Sequence, residues 1–139
     1  MIPIEIQSIP NNRHRYDTVG DYWNSATGTH IRTSDLGNED FEFLVALHEL
    51  VEQYLCRSRG IAEKDIMAFD VAFEQERAEG LWTDEEPGDD SRAPYRREHF
   101  FATTIERAMA HELGVTWAAY DAAISDLPPY QKEMPRGQD

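Results

Sequence analysis

One segment, from Glu39 to Arg57, constrains the fold of this 139-residue chain more than any other. Its apolar residues recur every three or four positions, which is the period of a helix that buries one side. The residues on that side are Phe41, Leu44, Val45, His48, Val51, Glu52 and Leu55. An ionised glutamate against an apolar core is costly unless it is paired or bound to a metal ion. The segment therefore predicts a packed helix with polar chemistry on its inner face.

In the part of the chain before this helix, apolar residues recur with a shorter period. Residues 2–6 alternate apolar and polar side chains, as in a half-buried strand, and Pro3 favours the edge of a sheet. A second extended run covers about 16–23, a turn follows at 24–28, and a returning strand covers 29–33. We expect a short N-terminal antiparallel hairpin or sheet.

Three more helices are predicted after the first one, over about 62–79, from 94 or 95 to 112, and over 116–125. Together with the leading strands they indicate an α+β domain, mainly α, in which a short sheet precedes three to four packed helices. This single globular domain is expected to span 1–127. A polar tail, 128–139, is expected to fray.

The connection from Leu81 to Pro94 is long for a compact domain, and its carboxylates are Asp84, Glu85, Glu86, Asp89 and Asp90. Connections of this length are often functional or mobile, although a solvated surface loop is the simpler interpretation.

The composition limits the kinds of partner and site that this chain can have. The net charge of −14 disfavours nucleic acid and anionic membrane surfaces, both of which are bound through clustered Lys and Arg. Cys56 is the only cysteine, which excludes an internal disulfide and a cysteine-based zinc site. No secretory signal or membrane-spanning run is visible, so we expect a cytoplasmic protein. A small-molecule or peptide substrate and a homodimer both stay open.

His48 and Glu52 carry the strongest chemical signal in the sequence. They stand four residues apart, so a helix places both on one face, where they can offer two ligands to one metal ion. Glu49 lies between them, where it could hold a water molecule or contribute a carboxylate. Imidazole nitrogen with carboxylate oxygen suits Zn, Mn or Fe(II).

The next two helices repeat this pattern of ligand-type residues among apolar ones. Asp70 stands in a stretch that is otherwise almost entirely apolar, and His99 and Glu106 share a face with apolar neighbours. Helical bundles build metal centres from such inward side chains on facing helices. We therefore expect His48, Glu52 and either His99 or Asp70 to bind a metal ion, with Glu106 as a further candidate ligand.

Each of these residues also has a purely structural interpretation. Glu49 is then an ordinary exposed helix carboxylate, and His99 a hydrogen-bonded core histidine. Asp70 pairs with Arg77 or another arginine, and Glu106 pairs with an exposed arginine. The structural alternative for the whole chain is a non-enzymatic acidic protein whose polar core is structural and whose surface meets a basic partner.

The run Leu47-His48-Glu49-Leu50-Val51-Glu52, after two strands, resembles the core of zincin-type metallopeptidases over about Gly28 to Leu55. In that family two histidines of His-Glu-x-x-His bind zinc and the glutamate activates water. The resemblance implies a ligand role for His48 and a general-base role for Glu49. Glu52 replaces the second histidine. The chain also resembles small phage or prophage proteins in general style.

The pair Glu49 and Glu52 resembles a second family, the all-α nucleotide pyrophosphatases of the MazG and dimeric dUTPase kind. These use Glu-x-x-Glu on one helix and Glu-x-x-Asp on the next to bind magnesium ions that hold a triphosphate. Asp70 fits the second helix, but Met67 stands where the paired glutamate is expected. A metal-dependent hydrolase is therefore the leading prediction, and a magnesium-dependent pyrophosphatase the alternative.

Overall fold

The computed structural model describes residues 1–81 and 86–132. In these ranges three strands precede four helices, which confirms the predicted α+β class. The elements are β1 (Ile4–Ile9), β2 (Gly20–Ser25), β3 (Gly28–Ser34), α1 (Glu39–Ser58), α2 (Glu63–Ala78), α3 (Arg96–Glu112) and α4 (Trp117–Ser125), with short 3-10 turns at Asn11–Arg13 and Pro87–Asp89. Asp84 and Glu85 of the acidic loop, and the tail from residue 133, lie outside the described residues.

The three strands form one mixed sheet in the order β1-β3-β2. Strands β2 and β3 form the predicted antiparallel hairpin, with Tyr22 opposite Ile31. Strand β1 lies at an edge, as Pro3 suggested, but it pairs parallel to β3, with Ile6 opposite Ile31. The expectation of a purely antiparallel sheet is therefore wrong for β1. The connection after β1 carries the chain to the opposite edge of the sheet, where β2 lies. Strand β3 then fills the middle and runs parallel to β1.

Gly28 allows the start of β1 to lie against the hairpin turn. Its φ of 135° belongs to the region that favours glycine, and a side chain there would collide with the Pro3 carbonyl. The neighbouring Thr29 N–H donates to that same carbonyl oxygen over 2.9 Å. The edge strand is thereby fixed at its first residues.

Helix α1 begins at a defined cap and is joined there to the sheet. The Asn38 side chain accepts a hydrogen bond from the Phe41 N–H at 3.1 Å, which satisfies a backbone donor that the helix leaves free. Glu42 accepts from the Ser8 hydroxyl at 2.6 Å and from the Leu36 N–H at 3.0 Å. These contacts fix the helix that carries His48 relative to β1 and to the segment that follows β3.

Two apolar clusters form the core. The first contains Tyr22, Ile31, Ala46, Cys56, Ile66, Ala93 and Tyr95. The second contains Leu44, Val45, Ala110 and Tyr120. Helix α1 contributes to both clusters and carries the buried His48 and Glu52 between those contributions. Helix α3 contributes Ala110 to the second cluster and carries the buried His99 and Glu106 before it. The core is thus interrupted by a polar layer where α1 faces α3.

The first residues of the predicted polar tail contact the sheet end of the domain. The Tyr130 hydroxyl donates to the His14 carbonyl over 2.7 Å, and the Asn11 side chain donates to the Pro128 carbonyl over 3.4 Å. Among the helices in the described ranges, none has the length and apolarity needed to cross a membrane.

Candidate metal centre

Helix α1 brings His48 and Glu52 together by its own geometry. Residues four apart lie one turn apart on the same face, and here His48 Nε2 is 3.0 Å from Glu52 Oε2. Both side chains are buried, with 8% and 5% of their surface exposed. This pair is the first part of the predicted site, and it lies where the i, i+4 spacing places it.

Helix α3 completes the cluster with His99. Its Nδ1 lies 3.0 Å from Glu52 Oε2 and 3.1 Å from His48 Nε2. The three donor atoms therefore form a nearly equilateral triangle with edges of 3.0–3.1 Å. His99 is a member of the centre and not an isolated core histidine.

This triangle has the size and chemistry of a metal site. Ligand atoms about 2.0–2.1 Å from a tetrahedral ion stand about 3.3 Å apart, only slightly farther than those of His48, Glu52 and His99. Two imidazoles and one carboxylate, all buried, could thus hold a divalent ion after a small outward adjustment. The three residues come from two facing helices, as bundle metal sites do.

Glu106 lies behind His48 and sets the orientation of its ring. Glu106 Oε1 is 2.7 Å from His48 Nδ1, and a carboxylate can only accept a hydrogen bond from that nitrogen. The proton is therefore assigned to Nδ1, which leaves Nε2 to face Glu52 and His99. Metal-ligating histidines commonly use their second nitrogen in this way. The predicted pairing of Glu106 with an exposed arginine is replaced by this pairing with a histidine.

The electrostatics show that the centre needs positive charge. Burial alone would lower the pKa of His48, but hydrogen bonds to Glu106 and Glu52 raise it to about 10. Burial would likewise lower the pKa of His99, but the carboxylates of Asp89, Glu52 and Glu86 raise it to about 12. Without a metal ion, protons on the imidazoles therefore balance the buried carboxylates.

The pKa of Glu52 reflects the same opposition between burial and hydrogen bonding. Burial raises its pKa, but the hydrogen bonds to His48 and His99 outweigh burial and bring the pKa to about 2. A divalent cation at this position would compete with the imidazole protons for the same carboxylate.

Glu49 lies on the wall of a cavity beside the centre. It is half-buried, and its carboxylate lies against Gly20, where an added side chain would come within 2.6 Å of Glu49 Oε1. Burial and the neighbouring Glu52 hold its pKa well above the ordinary value of a glutamate. A carboxyl group that gains and loses protons at a higher pH is suited to acid–base work. The cavity has a volume of about 1090 Å³ and also borders His48, Glu52 and His99.

Asp70 faces the same cavity but is satisfied by other partners. The Tyr16 hydroxyl donates to Asp70 Oδ2 at 3.1 Å, and the Tyr95 hydroxyl donates to Oδ1. Burial raises the pKa of this carboxyl group to about 7. The hydrogen bonds that the structure gives Asp70 thus come from tyrosines and not from the predicted arginine.

Sequence reasoning missed the contribution of the acidic loop. Glu86 Oε2 lies 3.1 Å and Asp89 Oδ1 lies 3.4 Å from the second ring nitrogen of His99, Nε2. In the described part of the chain, two sets of ligand-type atoms lie close enough together to hold an ion, and both include His99. One set adds His48 and Glu52; the other adds Glu86 and Asp89. The acidity of the loop was visible in the sequence, but nothing in it indicated that the loop would return to His99.

The predicted site residues therefore fall into three positions. His48, Glu52 and His99 converge on one point, Glu106 supports His48 from behind, and Glu49 and Asp70 line the adjacent cavity. Among the described residues, neither ligand set includes Asp70 or Glu106. Comparisons with protein-family models, curated proteins and solved structures find no match for this chain.

Proposed function

We propose that this chain is a metal-dependent hydrolase in which His48, Glu52 and His99 bind a divalent cation and Glu49 acts as general base. The observation that carries this proposal is the triangle of three buried ligand atoms, with edges of 3.0–3.1 Å, beside a large cavity. Two ring nitrogens that both carry protons repel each other, so the 3.1 Å between His48 Nε2 and His99 Nδ1 supports a cation shared by the two rings. The resemblance of the His48-Glu49 pair to the zincin helix motif agrees with the assignment.

The proposed roles follow from the position of each side chain. A divalent cation in such a site lowers the pKa of water and polarises a carbonyl or phosphoryl oxygen. Glu49, whose pKa is already raised by burial, takes up the proton of the attacking water and delivers it to the leaving group. Glu106 keeps the Nε2 atom of His48 directed at the centre. The donor set of two nitrogens and one oxygen favours Zn, Mn or Fe(II).

The edge of the sheet beside the cavity favours a small molecule over an extended peptide. On the edge strand β2, the Tyr22 carbonyl accepts a hydrogen bond from Arg15 at 3.3 Å, and the Asn24 N–H donates to Glu63 at 2.7 Å. These main-chain groups are the ones that a peptide would use to add a strand. Side chains of the protein already occupy them, so we rank small esters, amides and phosphoesters first.

The pyrophosphatase alternative fits the structure less well. Its magnesium ions need a second pair of carboxylates, but Asp70 is held by Tyr16 and Tyr95 and has no acidic partner at position 67. The three-stranded sheet also has no counterpart in an all-α protein. No observation in the structure favours this alternative over the hydrolase.

The test begins with protein stripped by chelator and reloaded with Zn, Mn, Fe(II) or Mg. The proposal predicts about one tightly bound equivalent of a transition metal. It also predicts metal-dependent hydrolysis in a panel of chromogenic esters, amides, phosphoesters and nucleoside triphosphates. Glu49→Gln should keep the metal and lose about 10²–10⁴-fold in turnover. Glu112→Gln, at an exposed position at the end of α3, is the matched control.

Two results would overturn the proposal. The first is a chain that binds none of these metals and keeps its full stability in chelator, as a structural polar core predicts. The second is turnover that needs Mg alone and releases pyrophosphate from nucleoside triphosphates, as the alternative family predicts.

A further inference from the structure

Residues Glu86 to Asp89, which we call the clasp, lie directly against the His99 ring. Gly88 is buried at this contact, and a side chain there would overlap the ring atoms of His99. Only a residue without a side chain lets the backbone approach so closely. The clasp is thus fitted to this histidine and is not a solvated loop over its whole length.

The clasp brings two carboxylates to a buried nitrogen, Nε2 of His99. His99 is 6% exposed, and its Nε2 makes no aligned hydrogen bond within residues 1–81 and 86–132. Glu86 Oε2 and Asp89 Oδ1 nevertheless lie 3.1 and 3.4 Å from it. Both carboxylates are exposed enough to rotate, so either can turn into line with a proton on Nε2.

The clasp is held by a contact within it and by the residues that follow it. Within it, the Asp89 N–H donates to the Glu86 carbonyl over 3.0 Å. Just after it, Arg92 pairs with Asp90 at 2.8 Å and with Glu76 of α2 at 3.0 Å. These contacts hold the end of the clasp that carries Asp89.

We propose that Glu86 and Asp89 are positioning residues that hold a proton on His99 Nε2, so that Nδ1 presents its lone pair to the metal centre. This inference rests on the proposed metal site and adds a second carboxylate–histidine pair to it. Glu106 orients His48 from the side away from the centre, and the clasp does the same for His99. Both ligand histidines would then have a fixed tautomer, which strengthens metal binding.

The first experiment measures Zn²⁺ affinity by competition with a chromophoric chelator. The double variant Glu86→Gln with Asp89→Asn should bind Zn²⁺ about 10–100-fold more weakly than the parent chain. The single variant Glu86→Asp, which keeps a carboxylate, should recover part of that loss. Gly88→Ala should also weaken binding, because its side chain displaces the ring. The control is Glu112→Gln with Asp126→Asn, which removes the same charge from exposed helix ends.

The second experiment reads the proton on His99 in chain without metal. Long-range ¹H–¹⁵N spectra of the parent should show a proton on Nε2 that exchanges slowly with solvent. In the double variant this proton should exchange faster, whereas in the control it should not change. A merely structural role of the clasp would change stability without a selective effect on this proton.

Two outcomes would overturn the positioning role. One is a Zn²⁺ affinity of the double variant within about two-fold of the parent, together with an unchanged Nε2 proton. The other is a second bound equivalent of Zn²⁺ that disappears in the double variant while the first is unaffected, which would make Glu86 and Asp89 ligands of another ion. If the parent binds no Zn²⁺, the proposed function fails, and the proton measurement still decides whether the clasp holds His99.

Discussion

Two acidic residues, Glu52 and Asp70, are buried in apolar surroundings on neighbouring helices, and the protein satisfies them in different ways. Asp70 receives hydroxyl hydrogen bonds from Tyr16 and Tyr95, which are neutral donors. Glu52 also accepts from one tyrosine, Tyr22, at 3.1 Å, but its other oxygen faces two imidazoles, which have to carry protons or share a cation to offset its charge. Asp70 is therefore satisfied by neutral donors, whereas the charge of Glu52 is balanced either by protonated imidazoles or by a bound cation.

The pKa values express this difference. Burial raises the pKa of Asp70 to about 7, so near neutral pH it sheds much of its charge. The hydrogen bonds to His48 and His99 overcome burial and bring the pKa of Glu52 to about 2, so it stays ionised. The same sequence signal, a carboxylate among apolar residues, thus marks a member of the candidate metal centre in one place and a structural group in the other.

The largest expected effect is the stabilisation of the fold by Zn²⁺, which should depend on the centre around Glu52 and not on Asp70. Zn²⁺ at about 1,000 times its dissociation constant should stabilise the parent chain by about 4 kcal/mol, because it binds only the folded state. His48→Ala should lose this stabilisation, since it removes one ligand and the pairing with Glu106. Asp70→Asn should keep it. Urea unfolding with and without Zn²⁺ measures this stabilisation. If His48→Ala and Asp70→Asn lose it equally, Asp70 belongs to the metal site as much as His48 does.

The next effect concerns the tyrosine that supports Asp70. Tyr95→Phe should destabilise the chain by about 1.5–3 kcal/mol at pH 8, because it removes a hydrogen bond to a buried charged carboxylate. Its Zn²⁺ affinity should stay within about three-fold of the parent, because Tyr95 is not a ligand. Tyr54→Phe, at an exposed position, is the control and should change stability by less than about 0.5 kcal/mol. A large fall in Zn²⁺ affinity would show that Tyr95 and Asp70 belong to the same site as Glu52.

A third effect is the pH dependence of the chain without metal. The folded-state pKa of His48, about 10, lies above the unfolded value of about 6.5, so this group stabilises the fold fully below pH 6.5. That contribution is lost as the pH rises towards 10. Between pH 7 and 8.5, stability should therefore fall about 1.4 kcal/mol per pH unit more steeply in the parent than in His48→Gln. Parallel slopes in urea unfolding would show that His48 carries no extra proton. Zn²⁺ affinity should show the opposite trend and rise with pH.

The smallest expected effect is that of Tyr16→Phe. The hydrogen bond from Tyr16 to Asp70 is 3.1 Å long and less buried than that from Tyr95, so its loss should cost about 0.5–1.5 kcal/mol. The same urea experiment measures it. A cost greater than that of Tyr95→Phe would reverse the order of the two donors.

Much of the site could be predicted because its signals are local. The spacing of His48 and Glu52 fixes their common face, and His99 and Glu106 stand two turns apart on α3. Each residue interrupts an apolar stripe, so its inward direction follows from the helix period. The hairpin of β2 and β3 was likewise readable from short runs of the chain.

The rest depends on contacts between residues that are distant in sequence. The parallel pairing of β1 with β3 follows from the path of the chain around the hairpin, which no alternation pattern encodes. The partner Tyr16 stands 54 residues before Asp70, so Asp70 looked as much like a ligand as Glu52 did. The return of Glu86 and Asp89 to His99 depends on the backbone of an irregular loop, for which side-chain period gives no signal.

The most direct test of the metal centre is anomalous diffraction at the zinc absorption edge from crystals of the zinc-loaded chain. The account predicts one strong peak about 2.0–2.2 Å from His48 Nε2, His99 Nδ1 and a Glu52 oxygen, with Asp70 still bound to its two tyrosines. Zinc bound elsewhere, or no peak between α1 and α3, would contradict it.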